Sequence, residues 1–425
     1  MTDALGTATL ELGGLRDRAR RITLTLFITQ SLGSAATIAI FPIVAIIGAR
    51  LSGRVAWAGV PATCYLLGSA LSAFLWGQVM DRRGRRPALL AGTSTGAAGA
   101  ALAGAATIGG SFAVFLLGSL LIGSATAAVQ LARFVAAEVH PPQERGRAIA
   151  RVVLGGTVGA VAGPLLAGPM AGLAGRAGVD ELAGPYGATL ALFALAAAVI
   201  FVWLRPEPRD LARHLGSPSL RSAATGAPGR PILEILRQRP ALLAVLAMAF
   251  GQLTMVMLMV ITPLHMRNHQ HPLTHISFVV SAHVVGMYLF SVVSGRLADR
   301  WGRSPVIATG AGVLTLAALA APRSPEVVPL AAALFLVGLG WNFCFVGGSS
   351  LLADQLSPEE RGRAQGFNDL LIGLSSAGGS FGSGLVFAAV GYATMGLAAA
   401  GVALTLLALT LWGRFGRRRA FAPSP

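Results

Sequence analysis

The chain has 425 residues, 54% of them hydrophobic and only 12% charged, with a net charge of +16 and a mean hydropathy of +0.68. No water-soluble protein of this length hides so much apolar surface, so the composition excludes the soluble classes and leaves a membrane protein. All 33 basic residues are arginine, which reads as genome composition, and the two cysteines, Cys64 and Cys344, sit singly in apolar segments and supply neither a disulfide framework nor metal spacing.

In chain order, Met1 to Arg21 is polar and lacks a cleavable signal pattern, so the first apolar segment is expected to stay as a spanning helix. A bilayer core of about 30 Å takes roughly 20 apolar residues per helix. Such segments lie at 22–48, 57–79, 87–109, 112–138, 147–173 and 184–204, then at 240–266, 273–297, 305–321, 327–353, 364–390 and 392–413. Residues 205–239, rich in Pro, Gly, Ser and Arg, predict a flexible linker ending in a short amphipathic helix, Ile232 to Leu236, on the membrane surface. The predicted fold class is therefore an all-α membrane protein with 12 transmembrane helices, in halves 1–204 and 240–425. Twelve crossings put both termini on one side, where 27 of the arginines also fall, against Arg50, Arg54, Arg176, Arg267 and Arg323 opposite. The positive-inside rule makes that side cytoplasmic, so the basic charge is topological and no nucleic-acid partner is expected.

The halves repeat each other. Gly77 to Pro87 reads GQVMDRRGRRP and Gly295 to Pro305 reads GRLADRWGRSP, each a charge-dense elbow between two apolar segments. EVHPPQERGR from Glu138 returns as DQLSPEERGR from Asp354, and Gln30 and Pro42 return as Gln252 and Pro263, all at offsets of 216 to 222 residues. A duplication of that length is too long for a solenoid repeat and suits a two-lobed membrane protein.

Gly77, Asp81, Arg82, Gly84, Arg85 and Arg86 resemble, residue for residue, the loop 2–3 motif of the major facilitator superfamily. The second copy, with Gly295, Asp299, Arg300, Gly302 and Arg303, departs only at Ser304. The resemblance implies two pseudo-symmetric six-helix bundles that rock about a central cavity. It also implies a conformational latch in which Arg85 meets Glu138 and Arg303 meets Asp354. Gly77 then lets its helix approach a neighbour, and Asp81 sits at that neighbour's positive N-terminal end. The plainer alternative is that these charges only fix topology and turn geometry. In the fifth segment Gly159, Gly163, Pro164 and Gly168 resemble a motif of the drug/proton antiporter branch, which implies export, although helix packing alone produces the same pattern.

Charges inside a bilayer are costly and face a cavity or a partner. Arg133 and Asp369 both lie roughly 8–9 Å below the inner surface at 1.5 Å per residue, and a cytoplasmic gate between them, released by protonating Asp369, is expected. The alternative pairs Arg133 with Glu138 and leaves Asp369 a local helix bond. His283, near mid-membrane, is a second candidate for proton coupling in a wet cavity. His265, His269, His271 and His275 are candidate metal ligands; with no Cys and few carboxylates beside them, proton sensing or a purely structural role at the membrane interface is the alternative. Gln30, Gln130, Gln252, Tyr288, Trp341 and Asn342, with Phe345 beside them, are candidate cavity residues for an amphipathic solute, although each alone serves equally as a helix–helix hydrogen bond.

No phosphate loop or dinucleotide fingerprint is present, so no enzyme activity and no cofactor are expected. The reading is a monomeric, proton-coupled secondary transporter of a bacterial plasma membrane that exports a small amphipathic organic compound. Its partners are the lipid bilayer, the solute and protons. Two alternatives stand beside it: an importer or metal-chelate transporter using the span from His265 to His283, and a receptor or scaffold that keeps the fold.

Overall fold

Stretches of 20 or more apolar residues leave the backbone no water to bond, so each closes its own hydrogen bonds as a helix. The computed structural model describes residues 2–141, 144–214, 230–357 and 360–420, with side chains outside the description at 2–13, 361–363 and 413–420. The helices are α1 (Thr2–Ala39), α2 (Phe41–Ser52), α3 (Val60–Arg83), α4 (Arg85–Gly109), α5 (Phe112–Gln130), α6 (Ala132–Glu138), α7 (Arg145–Arg176) and α8 (Gly184–Trp203). They continue as α9 (Pro208–His214), α10 (Ile232–Arg237), α11 (Arg239–Asn268), α12 (Leu273–Tyr288), α13 (Ser291–Trp301), α14 (Arg303–Ala320), α15 (Val327–Ala353) and α16 (Arg361–Ala420). No strand occurs among the described residues.

Among the described residues eleven stretches are long and apolar enough to cross a membrane. The last, Ala364–Trp412, has 49 residues, which at 1.5 Å per residue is about 73 Å and more than two bilayer cores. Gly391 breaks it, at φ 78° and ψ −179°, a conformation that only a residue without a side chain adopts cheaply. The twelve segments expected from the sequence are therefore present, with the last two joined at this glycine.

Contacts divide the chain into unit 1, Met1–Phe41 and Cys64–Ser222, and unit 2, Pro42–Thr63 and Ala223–Pro425. Residues 42–63 thus group with the second half, unlike the boundary expected at 204. The reason is close packing within unit 2: the Ser380 hydroxyl donates to the Gly59 carbonyl at 2.9 Å, and a side chain at Gly59 would start 1.8 Å from the Ser380 carbonyl oxygen.

In unit 1, α7 packs on α1 through a stripe one turn apart. A Cβ at Gly155, Gly159 or Gly163 would lie 2.5, 2.0 and 2.8 Å from the carbonyl oxygens of Phe27, Ser31 and Ala35. Small residues are what let two helix backbones come this near. Pro164 and Pro169 lie inside α7, which runs through both. A core of Ile22, Leu26, Leu89, Val135, Val152 and Leu204, each no more than 1% exposed, closes one end of the unit and takes in Leu211 of α9. The start of the linker is therefore docked. Residues 215–229, most of the predicted flexible linker, lie outside the described residues. The short helix expected at Ile232 to Leu236 forms as α10, but it buries Ile235 (2% exposed) in unit 2 and leaves Leu233 outside (67%).

Candidate functional site

The elbow of unit 1 turns at Gly84, whose φ of 102° starts α4 at once. Arg85 then points its fork at the end of α6: Nε donates to Glu138 Oε2 and Nη2 to Oε1, both at 2.9 Å. Its Nη1 donates back to the Met80 carbonyl at 2.7 Å and to Asp81 at 3.3 Å. Two parallel bonds between a guanidinium and a carboxylate form the strongest of the common ion-pair geometries. The elbow of unit 2 repeats the plan after Gly302 (φ 91°). Arg303 donates to the Ala298 carbonyl and to Asp299, each at 2.7 Å, and to Asp354 at 3.2 Å. This copy is single-pronged, and its Asp354 side chain is 49% exposed against 19% for Glu138. Arg82 and Arg300 are exposed.

A side chain at Gly77 or Gly295 would meet nothing within 4 Å. Asp81 is 76% exposed, with Arg85 as its partner. Within unit 1 a carboxylate does sit on a helix N-terminus: Glu207 accepts from the backbone N–H of Arg85 at 2.6 Å and of Arg86 at 3.2 Å. It fills the start of α4, where the unpaired N–H groups carry partial positive charge.

A matching anchor lies in unit 2. Glu360 accepts from Arg230 Nε and Nη2, both at 2.8 Å, from the Arg230 N–H at 3.0 Å and from the Ser357 N–H at 3.0 Å. The Arg230 guanidinium, seconded by Ser357, holds the Glu360 carboxyl well below the usual carboxylate range. The sequence reading missed both Glu207 and the Arg230–Glu360 pair. The one signal available was that Glu360 opens the repeated ERGR run, matching Glu144 in the first half.

In unit 2 a polar and aromatic cluster joins α11, α12, α15 and α16. Gln252 Nε2 donates to Ser376 Oγ at 2.8 Å while its Oε1 accepts from Trp341 Nε1 at 2.7 Å. Trp341 stacks on Phe345 with centroids 4.9 Å apart and meets the Tyr288 ring edge-on at 6.5 Å. Gln252, Tyr288 and Phe345 are each part-exposed. Asn342 is a correction, being 2% exposed. Its Nδ2 donates to the Met287 carbonyl at 2.7 Å and to Ser291 Oγ at 2.8 Å, and its Oδ1 accepts from Ser294. The helix breaks between α12 and α13, and Asn342 bonds the carbonyl freed by that break. In unit 1, Gln30 is 6% exposed beside Ser34 at 3.5 Å, and Gln130 is exposed at the end of α5.

The charges within apolar spans find little in their own units. The Arg133 guanidinium lies 4.9 Å over the Phe134 ring, and its Nε is buried with no hydrogen-bond partner. Its expected alternative, Glu138, is taken by Arg85. Asp369 is exposed and accepts from Gln365 Nε2 at 3.0 Å. His283 is 2% exposed rather than set in a wet cavity, and its Nδ1 donates to the Leu334 carbonyl at 3.0 Å, pinning α12 to α15.

The outer histidines split instead of converging on an ion. His265 stacks flat on Tyr392 at 4.1 Å, with His269 edge-on at 4.7 Å. His271 stands 6.0 Å from His275 and donates through Nε2 to the Pro325 carbonyl at 2.9 Å. Among the described residues no group of three His, Cys, Asp or Glu is placed to hold a metal. The metal-ligand expectation for these four residues has no geometry behind it.

Comparison with known proteins gives the lineage. The chain is 34% identical over 376 residues to the uncharacterized MFS-type transporter YdeG of Bacillus subtilis (strain 168), covering 87% of this chain and 86% of that one. It is 32% identical over 375 residues to the riboflavin transporter RfnT of Brucella anthropi, covering 88% and 90%. Its fold is similar to that of the nucleoside transporter NupG, with a TM-score of 0.69 at 17% identity over 92% of this chain and 98% of NupG. The model of the Major Facilitator Superfamily matches residues 26–264 and 245–424. Together with the duplicated elbows and the twelve helices, this match shows that the chain belongs to the Major Facilitator Superfamily, a membrane transporter and not an enzyme.

Proposed function

We propose that the protein carries small, planar, amphipathic organic solutes by alternating access, driven by protons and directed outward across a bacterial plasma membrane with both termini cytoplasmic. The observation that carries the solute class is the Trp341–Phe345 stack, with Tyr288 edge-on and the Gln252 amide held between Trp341 and Ser376. Flat aromatic faces beside one fixed amide suit a ring system with a few polar edges. A full-length relative named for riboflavin supports a heteroaromatic solute. Asp369, an exposed carboxylate in an apolar span, is the proton carrier in this reading, and the Gly-Pro stripe of α7 supports the outward direction.

The test is transport in proteoliposomes under an imposed pH gradient, with riboflavin and a panel of planar aromatic compounds. Gradient-driven movement of a member of the panel, lost in Asp369→Asn and weakened in Trp341→Leu, is the expected result. Movement unaffected by collapsing the gradient refutes the coupling. Accumulation in the opposite sense refutes export.

A further inference from the structure

The charge of the solute is a separate question, and Arg133 of unit 1 bears on it. We infer that Arg133 is an oxyanion subsite in unit 1, taking a carboxylate or phosphate borne by the solute. The inference rests on the transport reading and narrows it.

Arg133 lies in α6, five residues before the end of the apolar span Phe112–Glu138. A permanent cation at that depth requires compensation. Among the described residues of unit 1 it meets the π-face of Phe134 at 4.9 Å, while the carboxylate at the end of α6, Glu138, is held in both prongs by Arg85. Among the described residues of unit 1, Arg133 makes no hydrogen bond or ion pair, and its Nε is buried without a partner.

The surroundings hold α6 in place while leaving the Arg133 side chain part-exposed. The helix breaks at Leu131, between α5 and α6. Just before the break, a Cβ at Gly33 would lie 2.9 Å from Val129 and one at Gly92 would lie 2.2 Å from Ala128, so α5 is locked against α1 and α4. Just after it, Ala132, Val135 and Ala136 are each no more than 1% exposed, which puts the core on the other faces of α6. A planar fork with unspent donors, rigidly mounted, matches a carboxylate or phosphate and not an amide.

The experiment uses the full chain in nanodiscs of neutral phosphatidylcholine with two probes of nearly the same shape, 2-naphthoate and 2-naphthamide, read by quenching of tryptophan fluorescence. Wild type is expected to bind the carboxylate about tenfold more tightly, Arg133→Gln to lose that preference while holding 2-naphthamide within about twofold, and Arg133→Lys to fall between. Equal affinities in wild type, or equal weakening of both probes in Arg133→Gln, overturn the inference and leave the transport reading standing. Failure of both probes to bind wild type refutes the solute class and takes the inference with it. A parallel set of discs containing phosphatidylglycerol separates the remaining source. If Arg133→Gln changes only the response to that lipid, the oxyanion belongs to the membrane and the inference is overturned.

Discussion

Replacing Gly159 by alanine adds a single methyl group, yet the structure predicts one of the larger losses available from so small a change. That carbon would lie 2.0 Å from the Ser31 carbonyl oxygen and 2.8 Å from the Ala35 nitrogen. Both neighbours are backbone, so relief requires α1 and α7 to part by about 1.3 Å rather than a rotamer change. Overpacking of this kind costs about 1–3 kcal/mol, and with both clashing atoms in the backbone the upper end applies; better helix propensity returns roughly 1 kcal/mol, for a net loss of up to about 2 kcal/mol. Gly172 lies on the same helix with nothing within 4 Å, so alanine there keeps only the propensity gain. Gly163, with its nearest atom 2.8 Å away, falls between them. Thermal unfolding of the detergent-solubilised variants should therefore rank Gly159→Ala lowest, Gly163→Ala next and Gly172→Ala at or above wild type. Equal midpoints for Gly159→Ala and Gly172→Ala would refute the account of α1–α7 packing.

The two elbows should respond unequally to lysine. Arg85→Lys forfeits the two-pronged bond to Glu138 and should cost about 1–2 kcal/mol in unfolding, whereas Arg303→Lys, at a single-pronged and half-exposed pair, should stay within about 0.5 kcal/mol. Asn342→Leu leaves the Met287 carbonyl without its side-chain donor, while the hydroxyls of Ser291 and Ser294 keep their bonds to the Tyr288 and Phe290 carbonyls. A loss of about 1–2 kcal/mol is expected, with faster hydrogen exchange confined to residues 287–294. Because Arg230 depresses the Glu360 carboxyl in the folded state, that pair stabilises the fold above the unfolded carboxylate pKa of about 4.3 and loses its effect only as pH falls through the lower folded value. Cleavage by added protease near residue 230 should then be slow and constant from pH 8 to 5 in wild type, and fast throughout that range in Glu360→Gln.

How far the residue order foretold the site depended on where each partner lay. Asp81, Arg85 and Glu138 announced themselves because the second half repeats them as Asp299, Arg303 and Asp354, and the stripe through Gly159 and Gly163 because its period is that of a helix. Glu207 and Arg230 were hidden. Their partners lie 122 and 130 residues away, and a lone acid or base in a Pro-rich stretch has no period to betray it. Asn342 misled for a physical reason: an amide in an apolar helix serves equally to face a solute or to mend a neighbouring helix, and no Gly or Pro marks the break at residues 289–290. The histidines misled similarly, since their i,i+4 spacing is local while His265 is claimed by Tyr392, 127 positions downstream in the sequence.

Glu207 and Arg230 fasten the two ends of the central connection, each to its own unit, with 22 residues between them. A gene cut anywhere among codons 215–229 would therefore leave both fastenings whole, but because residues 42–63 on the first fragment group with unit 2, co-expression of both fragments is needed for unit 2 to be complete.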